Sequence, residues 1–102
     1  MRFAVLVQPT AEEEIDAAFV YLASEASLEV AARWYNRLEE SIATLANLPR
    51  RCPVAPEDAL FEEEIRHLLV DPYRVIFTIR GKQVHILHVR HMARRSLGVR
   101  DE

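Results

Sequence analysis

The stretch from Tyr73 to Arg90, YRVIFTIRGKQVHILHVR, carries the clearest local signal in the chain. Two alternating runs rich in β-branched and aromatic residues, Tyr73 to Arg80 and Gln83 to Arg90, flank the pair Gly81-Lys82. A two-residue link with glycine first supplies the positive φ of a type II′ turn, whose twist suits the strands it joins. The spacing predicts a β-hairpin. With Gly81 and Lys82 as the loop, Arg80 faces Gln83, Thr78 faces His85, Ile76 faces Leu87 and Arg74 faces Val89. That register puts Arg74, Ile76, Thr78, His85, Leu87, Val89 and His91 on one face. Tyr73, Val75, Phe77, Ile79, Val84, Ile86, His88 and Arg90 take the other. The second set is more continuously apolar in its middle and is expected to cover helices. The first set then forms a free face with Arg74 and His91 towards one end, an assignment that a one-residue slip would invert.

Upstream of the hairpin, Ile65 to Val70 reads as another strand. Arg50 to Ala59 holds Pro53 and Pro56 and reads as a loop, with Cys52 inside it and no base nearby in sequence to activate its thiol. Before that loop, Ala31, Trp34, Tyr35, Leu38, Ile42 and Leu45 form the apolar stripe of a helix expected from Ser27 to about Leu48, stopped by Pro49. Trp34 and Tyr35 belong to the stripe and read as packing residues. Ser24 to Ser27 is a short connection to an earlier helix, whose apolar face is Ile15, Ala18, Phe19 and Leu22. Thr10-Ala11-Glu12-Glu13 has capping-box spacing at its start, and Glu12 to Glu14 suit the positive end of the helix dipole. Arg2 to Gln8 reads as a first strand ended by Pro9. The order is β-α-α-β-β-β. It predicts an α+β fold with an antiparallel two-helix hairpin packed on one face of a small, mostly antiparallel sheet.

Composition sets the outer bounds. At 102 residues and 11.8 kDa, half of them hydrophobic, the chain has room for one domain, residues 1–102, and enough apolar material for a core. A single cysteine excludes an internal disulfide framework. No apolar run approaches the ~18 residues of a membrane span, and Phe3 to Val7 is too short for a secretory signal. The expectation is a reduced, cytoplasmic domain with no membrane association and no cofactor.

The net charge of −3 conceals a division along the chain. Residues 1–64 hold five Arg against thirteen Asp or Glu, and residues 65–102 hold eight Lys or Arg against three acids. Between Ile65 and Arg100 the only acid is Asp71, and His67, His85, His88 and His91 lie in the same region. Such a pattern predicts a basic surface on the last three strands that meets a polyanion or an acidic partner segment. A metal site is not expected from the histidines: on a strand His88 points away from His85 and His91, and those two are roughly 20 Å apart by strand rise. The chain has no Gly-rich phosphate loop, G-x-S-x-G elbow or H-E-x-x-H helix, and Glu62 to Glu64 read as a solvated run.

Taken in order, Pro9-Thr10-Ala11-Glu12 after the first strand, the helix pair ending at Leu48-Pro49, Ile65-Arg66-His67-Leu68, Tyr73-Arg74-Val75-Ile76-Phe77, and Val89-Arg90-His91 with Arg94 and Arg95 form one pattern. From about Arg2 to Leu97 it resembles the RelE/ParE superfamily of toxins from bacterial type II toxin–antitoxin modules. The resemblance implies a microbial-ribonuclease-like sheet and a cognate antitoxin from an adjacent gene, with operator DNA bound only through the toxin–antitoxin complex. It also implies a role in growth inhibition and plasmid stabilization. One branch, similar to RelE, cuts messenger RNA on the ribosome; the other, similar to ParE, acts on DNA gyrase.

On the nuclease branch, Arg74 matches the arginine that would hold the scissile phosphate. Arg66 and His67 match basic residues of the neighbouring strand, and His91 would be the general acid–base. Arg66, His67, Arg74, Arg90, Arg94 and Arg95 are the residues expected to bind the target or the antitoxin. No tyrosine follows His91, where Leu97-Gly98-Val99 stands instead, and Lys82 is the only lysine. These departures from the nuclease pattern favour the gyrase branch. The alternatives are a RelE-like ribosome-dependent endoribonuclease or an inert or regulatory binding module. For Arg74 alone, the other reading is an ion pair with a carboxylate.

Overall fold

Pro9 sets where the first helix begins. Its ring fixes φ near the helical value and its missing N–H belongs to a position that has no intrahelical acceptor. In the computed structural model, which describes residues 2–93, strand β1 (Ala4–Val7) therefore leads directly into α1 (Pro9–Glu25). Gln8 is the cap residue and makes no side-chain cap, so the predicted capping box at Thr10 does not form. Ser27 does cap α2 (Leu28–Ala43), its Oγ accepting from Val30 N at 3.1 Å. The two-residue link between the helices makes them an antiparallel pair, and Phe19 meets Tyr35 edge-on at 6.2 Å between ring centres.

The long second helix predicted to reach Leu48 stops early. A 3₁₀ turn (Thr44–Ala46) follows Ala43, and Leu48 then adopts a left-handed φ of 47° before Pro49. The residue before a proline is driven out of the right-handed helical region, which ends the helix ahead of Pro49 rather than at it.

Strands β2 (Ile65–Val70), β3 (Tyr73–Arg80) and β4 (Gln83–His91) complete a four-stranded sheet in the order β1-β4-β3-β2. Only the β1–β4 pairing is parallel, so the sheet is mostly antiparallel as expected. Gly81 takes a φ of +60° at the head of the hairpin, as its turn requires.

The register holds from Arg80–Gln83 to Phe77–Ile86, and then shifts. A β-bulge makes Ile76 face His88, Val75 face Val89, Arg74 face Arg90 and Tyr73 face His91. The predicted pairs Ile76–Leu87 and Arg74–Val89 are overturned. One extra residue, Leu87, is absorbed into β4, and every side chain beyond it changes face. Val89 thus joins Val75, Phe77, Val84 and Ile86 in the core against Ile15 and Ala18 of α1 and Trp34, Leu38 and Ile42 of α2. His91 follows Val89 to the helix side and stacks edge-on against Tyr73 at 5.2 Å.

The opposite face is not free either. The segment after Pro53 lies along β2, with Ala55 N–H donating to Ile65 O at 2.8 Å and His67 N–H to Pro53 O at 3.1 Å. Ala55, Ile65 and Ile76 form a second small core there, flanked by Phe61 and Leu87. A further 3₁₀ turn (Pro56–Leu60) follows and delivers Glu57 to the sheet, which positions the site described next.

Candidate functional site

Arg74 and His67 project from adjacent strands onto the face away from the helices, because Leu69 pairs with Arg74 and His67 with Ile76. Glu57 descends onto them. Its carboxylate accepts from both terminal nitrogens of Arg74, Nη1 to Oε1 at 3.1 Å and Nη2 to Oε2 at 2.5 Å, a bidentate fit of two planar groups. Glu57 is 1% exposed and Arg74 8% exposed, so the pair is sealed from water. Arg74 Nη1 also lies 3.2 Å from His67 Nδ1. Burial first, and the Arg74 charge second, hold the His67 imidazolium below its ordinary pKa near 6.5, against an opposing pull from Glu57. A neutral ring whose Nδ1 accepts from Arg74 keeps its proton on Nε2. Across the strands, Arg74 stands opposite Arg90, which is half-buried. Two like charges in register repel, and the carboxylate of Glu57 offsets that repulsion.

Arg66 of β2 and Arg80 of β3 are committed as well. Arg66 points to the helix side, opposite Phe77, where Nη1 donates to Cys52 O at 2.5 Å and Arg50 O at 3.2 Å while Nη2 pairs with Glu64 at 2.9 Å. Arg80 makes a two-point contact with Glu63 at 2.6 and 2.8 Å, and this contact holds the Glu63 carboxyl below its usual range. The predicted basic surface on these strands is therefore corrected: Arg66, Arg74 and Arg80 are each matched by a glutamate of residues 57–64. The acidic loop and the basic strands that follow it in sequence fold onto each other. Arg94 and Arg95 lie outside the described residues.

Nor do the two nuclease candidates meet. Arg74 is on the Glu57 face and His91 on the helix face, where its Nδ1 accepts from Ala93 N at 3.0 Å. The predicted placement of both on one free face fails because of the bulge at Leu87.

His91 instead lines an open groove of about 530 Å³ together with Tyr73, Val89 and, from α1, Glu14, Ala17, Ala18 and Tyr21. Glu14 closes the sheet edge here. β1 pairs with β4 only as far as Ile86, and beyond it Glu14 Oε1 accepts from Val89 N at 2.9 Å and lies 3.2 Å from His88 Nδ1. Sequence reasoning missed Glu14 and Glu57, which sit in an apparent dipole cluster and a loop respectively. No group of three His, Cys, Asp or Glu with metal-binding geometry occurs among the described residues, and no helix there is long and apolar enough to cross a membrane.

The sequence matches the family model for the ParE toxin of the type II toxin–antitoxin system, parDE, over residues 5–96. Among solved structures, a chain described as a chromosomal ParDE TA system from P. aeruginosa is similar over 88% of this chain and 96% of its own, with a TM-score of 0.75 and 17% identity. At that identity the likeness is one of fold. A comparison with curated proteins gives no match.

Proposed function

Because the chain belongs to the ParE toxin family of type II toxin–antitoxin systems, we propose that it arrests growth in the bacterial cytoplasm by inhibiting DNA gyrase, and that it does not cut messenger RNA. The observation that carries this reading is the buried Arg74–Glu57 pair. A phosphate-gripping arginine must present its paired N–H donors to an incoming anion, and here both terminal nitrogens are held by a carboxylate that is itself sealed from water. Displacing Glu57 would leave a buried carboxylate without its counter-charge, at a cost of about 3–5 kcal/mol. His91, the other residue such a mechanism would recruit, belongs to the opposite face. A cognate antitoxin restrains the toxin, and operator DNA is bound through the complex of the two.

The test runs two assays on one preparation freed of antitoxin. Supercoiling of relaxed plasmid by gyrase is followed with increasing toxin, and primer extension maps cuts in a message during cell-free translation. Inhibited supercoiling with uncut message is the expected result. Codon-dependent cuts with unaffected gyrase would overturn the proposal.

A further inference from the structure

While Arg66, Arg74 and Arg80 are each paired with a glutamate, no arginine of residues 2–51 forms an ion pair among the described residues, and two of these unpaired cations, Arg50 and Arg51, stand side by side. Arg50 makes no side-chain hydrogen bond or ion pair among the described residues. Arg51 is fixed but keeps its charge, since its guanidinium donates to neutral groups only: Asn47 O at 2.7 Å, Leu48 O at 3.2 Å and Thr44 Oγ1 at 2.8 Å. Between these cations and Phe3 lies an open depression of about 500 Å³, lined by Phe3, Leu48, Pro49, Arg50 and Arg51. Its walls are apolar and its rim is basic.

Leu48 stands out in the turn that precedes Pro49. It is 76% exposed, the most exposed of the large apolar side chains among the described residues, and holds a left-handed φ of 47° that a γ-branched residue adopts at a cost. Arg51, bonded to the Leu48 carbonyl, and Pro49 after it hold the turn in that shape. Sites where strain persists without repayment inside the fold are drawn disproportionately from functional surfaces. The backbone around the depression is anchored too, Phe3 N–H donating to Ala46 O at 2.8 Å and Ala4 N–H to Lys82 O at 3.0 Å.

We propose that the Leu48 depression is the surface by which this toxin engages its protein target, seating a large apolar side chain flanked by carboxylates. The assignment rests on the gyrase reading above. Unneutralised Arg50 and Arg51 around an apolar floor complement an acidic, apolar protein segment. Nucleic acid is the poorer match, because a phosphate backbone gains nothing from Phe3, Leu48 and Pro49. The surface is small, rigid and preformed, which suits docking onto a partner that is itself folded. A central anchor ringed by polar residues is the usual form of an interface hot spot.

Leu48→Asn tests this without disturbing the fold, since asparagine accepts the left-handed region readily and the side chain is exposed. Wild type, Leu48→Asn and Leu48→Asn/Arg50→Glu are compared for thermal midpoint, for capture by the cognate antitoxin and for inhibition of gyrase supercoiling. Both variants are expected to melt like wild type and bind antitoxin as wild type does. The double variant is expected to need about tenfold more protein or higher for half-inhibition, the loss typical of a central anchor. Full inhibition by a folded double variant would overturn the proposal. So would parallel loss of antitoxin capture, which would assign the depression to the antitoxin. If wild type itself leaves supercoiling untouched while cutting message, the gyrase reading fails first and the target assignment falls with it.

Discussion

Arg74 shows how one side chain's meaning depends on its partner. In sequence it is a cation on a strand with a phosphate-binding look; in the fold it is half of a buried pair with Glu57. Removing one member of such a pair strands the other charge in a low-dielectric site, whereas replacing both with apolar groups removes the desolvation penalty together with the attraction. Arg74→Ala should therefore cost about 3–5 kcal/mol, and Glu57→Leu/Arg74→Met far less than the sum of its single changes. Urea denaturation of the four proteins checks this; additive effects would mean that the two residues do not act as a pair. His67, beside them, gives a pH signature. Its folded pKa lies below the unfolded value, so the unfolded chain binds its proton first. The stability it contributes is complete above the unfolded pKa and is lost as pH falls through that value towards the folded one. Relative to wild type, His67→Asn should lose less stability between about pH 7.5 and 5.5. Denaturation midpoints at the two pH values decide it, and equal losses would count against a buried, cation-facing imidazole.

Among the elements, the hairpin is where local pattern and tertiary structure part. The ends of β2 and β3 and the Gly81 turn were all legible, because each depends on residues adjacent in sequence. The bulge was not anticipated, yet its trace is visible: apolar residues fall at Val84, Ile86, Leu87 and Val89, and the alternation slips between Ile86 and Leu87. Two apolar neighbours on one strand are served best when the strand gains a residue and each finds its own core, Ile86 with the helices and Leu87 with Ile76. Glu57 left no comparable trace. Its role is set by the loop's return across β2, a contact between residues seventeen apart that no periodicity encodes. The bulge makes a sharp prediction for Val89, which is 3% exposed on the helix side. Val89→Ala should cost about 2 kcal/mol, from lost burial and the cavity left behind, measured by thermal or urea unfolding. A change near zero would place Val89 on the outer face and restore the unbulged register.

Across the whole molecule, the division of charge along the chain turns out to be a folding device. Three strand arginines meet three glutamates of residues 57–64, so the acidic loop closes over the basic sheet instead of leaving it for a partner. Among the cations left without a carboxylate, Arg50 and Arg51 stand together beside Leu48. Fold class and family were readable because the β-α-α-β-β-β order is written in local patterns; the location of usable charge was not, because neutralisation is a property of the folded state. On this reading Arg74 is a structural residue whose charge is spent inside the protein. The most direct measurement is growth arrest on induction of the folded Glu57→Leu/Arg74→Met protein without antitoxin, with its melting temperature checked alongside. Arrest comparable to wild type is the predicted result. A double variant that folds like wild type but leaves cells growing normally would contradict it, and would return Arg74 to the chemistry of the target.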